Sequence, residues 1–210
     1  MKKVVTTHEN PFDLNTQIES LDSKVIIAFE KISQAFRVML WDKAKEFGIS
    51  PIQIQLLIHI KNHHPNLRKV TSLAIEFNMT KATISDALRT LENKNLISRT
   101  PEKHDYRSFV FSLTSEGLNL VENLETYAES FMEVLMDIEP KDKEVLYLQL
   151  VQLIQKFNQQ EVLSPLRMCL TCSHFSKEKS KGAYCHFLEL KLNIKDLRVD
   201  CTVHEPIEDI

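Results

Sequence analysis

All four cysteines of this 210-residue chain fall in its last quarter, as Cys169-x2-Cys172-x12-Cys185-x15-Cys201, and nothing before Cys169 contributes another. A CxxC pair followed by two spaced single cysteines is the arrangement that gathers four thiolates around one metal ion. The chain therefore divides into a cysteine-free body and a metal-bound tail. The tail is too short to fold on apolar burial alone and is expected to fold around its metal.

The body has the composition of an ordinary globular protein, 43% hydrophobic and 26% charged. No apolar run approaches the roughly 20 residues needed to cross a bilayer, so no membrane partner is expected. The first ten residues, Met1 to Asn10, lack the apolar core and cleavage site of a signal peptide. A cytoplasmic location is expected, where a reducing environment favours metal ligation over disulfides. Three glycines in the whole chain (Gly48, Gly117, Gly182) point to a mainly helical protein with few tight turns.

Periodicity divides the body further. Residues 1–16 are polar and aperiodic and read as a flexible arm. Ile18 to Phe47 carries Leu21, Val25, Phe29, Ile32, Phe36, Met39, Leu40 and Ala44 at helical spacing, closed by Gly48. With its flanks, 17–50 reads as a dimerisation helix. Ser50-Pro51-Ile52-Gln53 has the makings of a capping box for a buried helix to Ile60. Thr71 to Phe77 predicts a short helix, Asn78-Met79-Thr80 a turn with Thr80 as cap, and Lys81 to Asn93 a second helix. Asn95 suits a left-handed exit. Strand-like runs Leu96–Thr100 and Ser108–Leu113 follow, joined by a charged loop. Thr114 caps one long helix to about Ile138, and Pro140 opens another to about Asn158. Helix, turn, helix and hairpin over 51–113 make a winged helix-turn-helix, a three-helix core with a two-stranded wing. The apolar stripes of 17–50 and 114–160 would be left wet in a monomer, so a homodimer is expected.

In such a fold the second helix enters the major groove of double-stranded DNA. Here it offers Thr80, Lys81, Ala82, Thr83, Ser85, Asp86 and Arg89, while the wing tip carries Lys103, His104 and Arg107. Small residues allow close approach to base edges, hydroxyls bond bases or phosphates, and the cations neutralise phosphate. Between Lys61 and Phe111 nine Lys and Arg stand against five Asp and Glu, in a chain of net charge −3. That local excess is what phosphate contact requires. A hairpin beside two helices also serves as a plain protein-contact module, and the geometry alone does not separate the two.

Particular residues go further. Leu73-Ala74, Thr83-Ile84-Ser85, Leu91-x4-Leu96-Ile97-x-Arg99, and Asp105-x-Arg107-Ser108 leading to Leu113-Thr114-x2-Gly117 resemble the MarR family of bacterial regulators over roughly residues 20–158. The resemblance implies an obligate dimer with interlocking terminal helices, bound to a pseudo-palindromic operator and usually acting as a repressor. It implies that Arg107 reaches the minor groove and that Asp105 orients basic neighbours. Two positions depart from the pattern: Asp86 stands where a basic or amide residue is common, and Asn95 where glycine is. Asp86 suggests cytosine reading, or a side chain turned toward Arg89 or Lys81. Relatives often take small lipophilic effectors in a crevice. Trp41, Phe36, Met39 and Phe47 have the character to line one, although aromatics at helical spacing are more often core, and no effector is named.

The tail, 161–210, is an addition to that plan. Cys169, Cys172, Cys185 and Cys201 as an all-thiolate tetrahedral site suit structural zinc best. An iron–sulfur cluster is the alternative, which would make the protein a redox or iron sensor. Cys201-x2-His204 offers an imidazole in place of one thiolate, and His174 and His186 lie nearby. A redox-active CxxC dithiol ranks last, since the βαβ setting of such motifs is absent. No nucleophile–base pair, glycine-rich phosphate loop or open metal site argues for an enzyme.

Overall fold

Helix caps set where the first segments begin and end. The computed structural model describes residues 10–102, 108–163, 165–178 and 182–207, and the chain forms two units, Met1–Pro51 and Ile52–Ile210. In the first, Asp13 caps helix α1 (Leu14–Glu19) by accepting the backbone N–H groups of Asn15 at 2.7 Å and Thr16 at 3.4 Å. Ser20 is extended, and its hydroxyl accepts the Ser23 N–H at 3.2 Å to open α2 (Leu21–Phe47). The expected single helix from Ile18, after an aperiodic arm to residue 16, is thus corrected. A serine that satisfies free N–H groups breaks the helix at Ser20, and Asp13 starts a shorter one before it. Gly48, at φ 62°, ends α2 in the left-handed region. One stripe of α2 stays open, from 39% exposed at Phe29 to 73% at Leu21, with Val25, Ile32 and Phe36 between these values.

The second unit is built on three helices. Helix α3 (Pro51–Asn62) buries Ile54, Leu56, Leu57 and Ile60, α4 (Val70–Glu76) buries Leu73 and Ala74, and α5 (Lys81–Asn93) buries Ile84, Ala87, Leu88 and Leu91. The last four recur at the i, i+3, i+4, i+7 spacing that places one helical face on the core. Asn78, at φ 49°, turns the chain from α4 to α5, and Asn95, at φ 57°, turns it out of α5, as its side chain allows. Strands β1 (Ile97–Pro101) and β2 (Phe109–Leu113) pair antiparallel, with Ile97 opposite Leu113 and Arg99 opposite Phe111. The Phe111 N–H reaches back to the Arg68 carbonyl at 3.2 Å, which ties the wing to the segment before α4.

The chain leaves the wing through a tight corner. Thr114 accepts the Gly117 N–H at 3.0 Å and donates its hydroxyl to the Asn95 carbonyl at 2.7 Å, while its own N–H reaches the Leu96 carbonyl at 3.1 Å. A Cβ on Gly117 would stand 1.9 Å from the Leu96 carbonyl oxygen, well inside contact distance. Glycine is therefore required there by space.

The helix expected from Thr114 to Ile138 is interrupted. Helix α6 (Ser115–Leu124) passes into a 3-10 turn, Glu125–Ala128, before α7 (Glu129–Met136). The Glu125 carboxylate takes the Lys61 ammonium at 2.6 Å and the Asn62 amide at 3.2 Å, and Lys61 holds its pKa below the usual carboxylate value. Tethering the first residue of the turn to α3 accounts for the break. Helix α8 (Pro140–Gln159) follows as expected. The tail folds as a three-stranded antiparallel meander, β3 (Phe175–Glu178), β4 (Gly182–Cys185) and β5 (Leu190–Leu192), which its alternation had not suggested. The Tyr147 hydroxyl of α8 donates to the Leu197 carbonyl at 2.5 Å, joining helix and tail.

A polar junction also holds the tail against α3 and α4. Arg167 makes a bidentate pair with Glu76 at 2.7 and 3.0 Å and a third bond to Asp200 at 2.8 Å; Asp200 in turn meets His63 at 2.7 Å. His63 stacks on buried His59 with ring centroids 3.8 Å apart. Burial, with the neighbouring His63, lowers the His59 pKa to about 4.

Gly117→Ala is expected to lower stability by about 1–3 kcal/mol, the usual cost of overpacking, read as a fall in the urea midpoint; an unchanged midpoint would refute the steric requirement. His59 makes the folded protein sensitive to mild acid. The unfolded chain takes up this proton near the ordinary value of 6.5 and the folded chain not until about 4. Stability should decline as pH falls through that window, by about 3 kcal/mol from this group. His59→Gln should flatten the decline in denaturation curves collected from pH 7 to 4.

Candidate nucleic-acid interface and cysteine cluster

The candidate interface is built on α5. Its buried residues leave Lys81, Ala82, Thr83, Asp86 and Arg89 exposed and Ser85 half-buried, at the start and along the outer side of the helix. Thr80 caps it, accepting the Thr83 N–H at 3.1 Å, and its hydroxyl meets that of Thr83 at 2.9 Å. The two hydroxyls so approach the outer face as a linked pair. Asp86 turns toward Arg89, with 3.1 Å between carboxylate and guanidinium. Both side chains are about 70% exposed, so the pair is weak and dissociates easily. The structure thus brings Thr80, Lys81, Ala82, Thr83, Ser85, Asp86 and Arg89 to one helix. The wing residues Lys103, His104, Asp105 and Arg107 lie outside the described residues.

The basic excess between Lys61 and Phe111 is more committed than a charge count suggests. Lys61 pairs with Glu125, Lys69 with Glu102, Arg89 with Asp86, and Arg99 with Glu92 at 3.2 Å while lying over the Phe109 ring. Arg68 gives its Nε to the His63 carbonyl. Lys61, Arg68, Lys69 and Arg99 are therefore engaged by the fold itself, while Arg89 is only loosely held. Lys69–Glu102, which secures α4 to the base of the wing, joins residues 33 apart, and charge counting had no means of finding it.

The four cysteines come together from separate elements. Cys169 and Cys172 bracket a single 3-10 turn, with the Cys172 N–H on the Cys169 carbonyl at 3.2 Å. Cys185 ends β4, opposite Phe175 on one side and Leu190 on the other. Cys201 follows a bridge between Arg167 and Asp200. All four are free thiols and all line one cavity of about 510 Å³, together with His174, Lys191, Lys195 and Arg198. They ring this space rather than close on a point: among the described residues no three His, Cys, Asp or Glu side chains stand as a ready-made single-ion site. Burial raises the Cys169 thiol pKa, opposed by the Arg198 N–H on its sulfur at 3.2 Å and reinforced by the other three thiols. Arg198 also points its guanidinium at the Cys201 sulfur, 3.7 Å away.

The histidines separate. His204 lodges on the Thr171 carbonyl at 3.0 Å and His186 on Ser176 at 2.9 Å. Only His174 lines the cavity, and its Nε2, 3.3 Å from a Glu205 oxygen, is buried without a well-directed hydrogen bond. The imidazole best placed to assist the thiolates is thus His174 rather than His204. Four sulfurs, one poorly satisfied ring nitrogen and three cations around a common space fit a bound metal or cluster by the chemistry of the donors.

Helix-turn-helix followed by a paired wing makes residues 51–113 a winged helix-turn-helix. Residues 49–109 match the model of the MarR family. A curated relative, the HTH-type transcriptional repressor MdtR of Bacillus subtilis (strain 168), is 27% identical over 99 residues, which span 47% of this chain and 63% of that protein. Among solved structures, S. aureus MepR in its DNA-binding conformation aligns with a TM-score of 0.56 at 24% identity, over 63% of this chain and 98% of MepR. The S. aureus MepR–DNA complex gives 0.55 at 24% identity, over 62% and 96%. These likenesses establish the mainly helical winged-helix fold. Among the described residues no helix is long and apolar enough to cross a membrane.

If α5 is a DNA interface, Lys81→Ala should reduce the slope of log affinity for duplex DNA against log salt by about 1, the change expected for one lost phosphate contact. A slope unaltered in a salt titration would remove Lys81 from the interface.

Proposed function

We propose that this chain is a homodimeric, sequence-specific DNA-binding transcription regulator of the MarR type, acting as a repressor, with a metal held by Cys169, Cys172, Cys185 and Cys201. The observation that carries the DNA-binding part is α5. A MarR-type helix presents Lys81, Ala82 and Thr83 to solvent at its N-terminal end, where a recognition helix meets base edges. The names of the relatives agree, MdtR being a repressor and MepR having been solved on DNA. Repression follows from occupancy: a protein seated on an operator that overlaps a promoter excludes polymerase.

The homodimer is supported by apolar surface. The stripe Leu21, Val25, Phe29, Ile32 and Phe36 on α2 and the residues Met132, Val134, Leu135 and Met136 on α7 are all more than a third exposed. Such surface is normally covered by a second copy. The function proposed is not enzymatic.

For the cysteines, zinc in an all-thiolate site remains the first reading: bound zinc would draw the thiolates together and fix the tail. An iron–sulfur cluster is the second. The wide cavity and the Arg198 N–H on the Cys169 sulfur favour it, because clusters occupy more space than one ion and are tuned by hydrogen bonds to sulfur.

The test selects duplexes from a random pool with protein purified without oxygen. Selection of a pseudo-palindrome, bound as two chains per duplex and weakened across all sequences by Arg107→Ala, is expected. Recovery of no preferred sequence would overturn the reading. About one zinc per chain without visible absorption establishes the zinc site, whereas iron with sulfide and a broad band near ~400 nm establishes the cluster. Neither metal would remove the metal-binding role.

A further inference from the structure

The segments that carry three of the thiols also grip the helix-turn-helix, through Arg167 and Asp200. The backbone of the first cysteine segment hydrogen-bonds to that of the last: Cys201 N–H to the Arg167 carbonyl at 2.8 Å, and Cys169 N–H to the Arg198 carbonyl at 2.9 Å. From this two-segment ribbon, within two residues of Cys169 and one of Cys201, Arg167 and Asp200 extend toward α3 and α4. Arg167 is 13% exposed and Glu76 is 21% exposed, and their contact is bidentate at 2.7 and 3.0 Å. Asp200 continues to His63 on the chain just after α3. Two parallel charge-assisted bonds in a partly dry setting fix direction as well as distance.

The point gripped is significant. Glu76 is the last residue of α4, which has only seven residues, and only Phe77, Asn78 and Met79 separate it from the Thr80 cap of the reading helix. A helix of two turns cannot absorb a displacement at its end; it moves as a rod. Its other end is held by Lys69–Glu102 at the base of the wing. The tail therefore has a direct lever on the spacing between α4, α5 and the wing.

We propose that metal ligation by the four cysteines sets the position of α4 through the Arg167–Glu76 pair, and so controls affinity for DNA. The proposal rests on the DNA-binding and metal-binding reading above and adds to it the route between the two sites. With the cysteines ligated, the two segments share one anchor and Arg167 is held toward Glu76. Without metal the segments are joined only by their backbone bonds and by weaker side-chain contacts such as Arg167–Asp200, so Arg167 is held less firmly toward Glu76 and the clamp on the end of α4 loosens. A less ordered helix-turn-helix binds DNA more weakly, because ordering it then has to accompany binding.

The experiment uses the full chain and a duplex selected by it. Affinity is measured by fluorescence anisotropy before and after the metal is stripped by a chelator without oxygen, in the wild type, Arg167→Met and Glu76→Gln. Glu76→Gln lies outside the cysteine loops and keeps the comparison available should Arg167→Met fail to retain metal. Wild-type affinity should fall about tenfold on stripping, within the roughly 5- to 150-fold range of allosteric couplings. Both variants should retain metal, start near the stripped wild-type affinity and respond little to stripping. Amide exchange in α4 should quicken on stripping in the wild type. Equal wild-type affinity with and without metal overturns the coupling while leaving both sites standing. Full metal dependence in Glu76→Gln overturns the route. Failure to recover metal or a preferred duplex overturns the underlying reading, and the coupling with it.

Discussion

The corner where Thr114 and Gly117 meet Asn95 and Leu96 is the constraint on which the described winged-helix unit depends. Four features converge within a few ångströms: the end of α5, the start of β1, the end of β2 and the start of α6. Each leaves backbone groups that need partners, and the corner satisfies them with one another. Thr114 serves as strand end, helix cap and donor to the Asn95 carbonyl. The Gly117 backbone can approach the Leu96 carbonyl only because it has no side chain. The inclination of α5 relative to the wing is thus fixed by local chemistry, and the buried face of α5 locks it from the other side.

The junction around Arg167 belongs to a different class of interaction. Withdrawing several charged and polar groups from water is expensive, and such a network is justified energetically only when its members satisfy each other. Here they do: Arg167 is held charged chiefly by Glu76 and then by Asp200. Burial first, and then the neighbouring His63 and Arg167, depress the His59 pKa, with Glu76 opposing them. Such a network specifies one docking orientation of the tail more than it adds to stability.

Much of the winged helix was legible because its signals are local. The spacing of Ile84, Ala87, Leu88 and Leu91, the Thr80 cap and the left-handed asparagine at 95 each act within a turn of chain, and each appears where expected. The helix limits that went astray depended on competition between neighbours. Ser20 reads as an ordinary polar residue within a periodic run until it is seen to cap. The break at Glu125 is due to Lys61 and Asn62, more than sixty residues earlier. The gathering of the four cysteines around one cavity could be read from their spacing, whereas which of the three histidines lines that cavity could not, because hydrogen bonds to Thr171 and Ser176 hold the other two. The β-meander of the tail was hidden by strands of three or four residues, too short for alternation to register.

The cations of the reading region have a kinetic meaning as well. A protein that scans DNA is retained on arbitrary sequence by its free positive charge, since that attraction is indifferent to base identity. Most of the described lysines and arginines near α5 are already occupied by carboxylates or carbonyls of the same chain. On the function proposed, such a molecule spends little time on the wrong DNA. Its selectivity would come from a low background of loose binding, and its search would proceed by short visits rather than long slides.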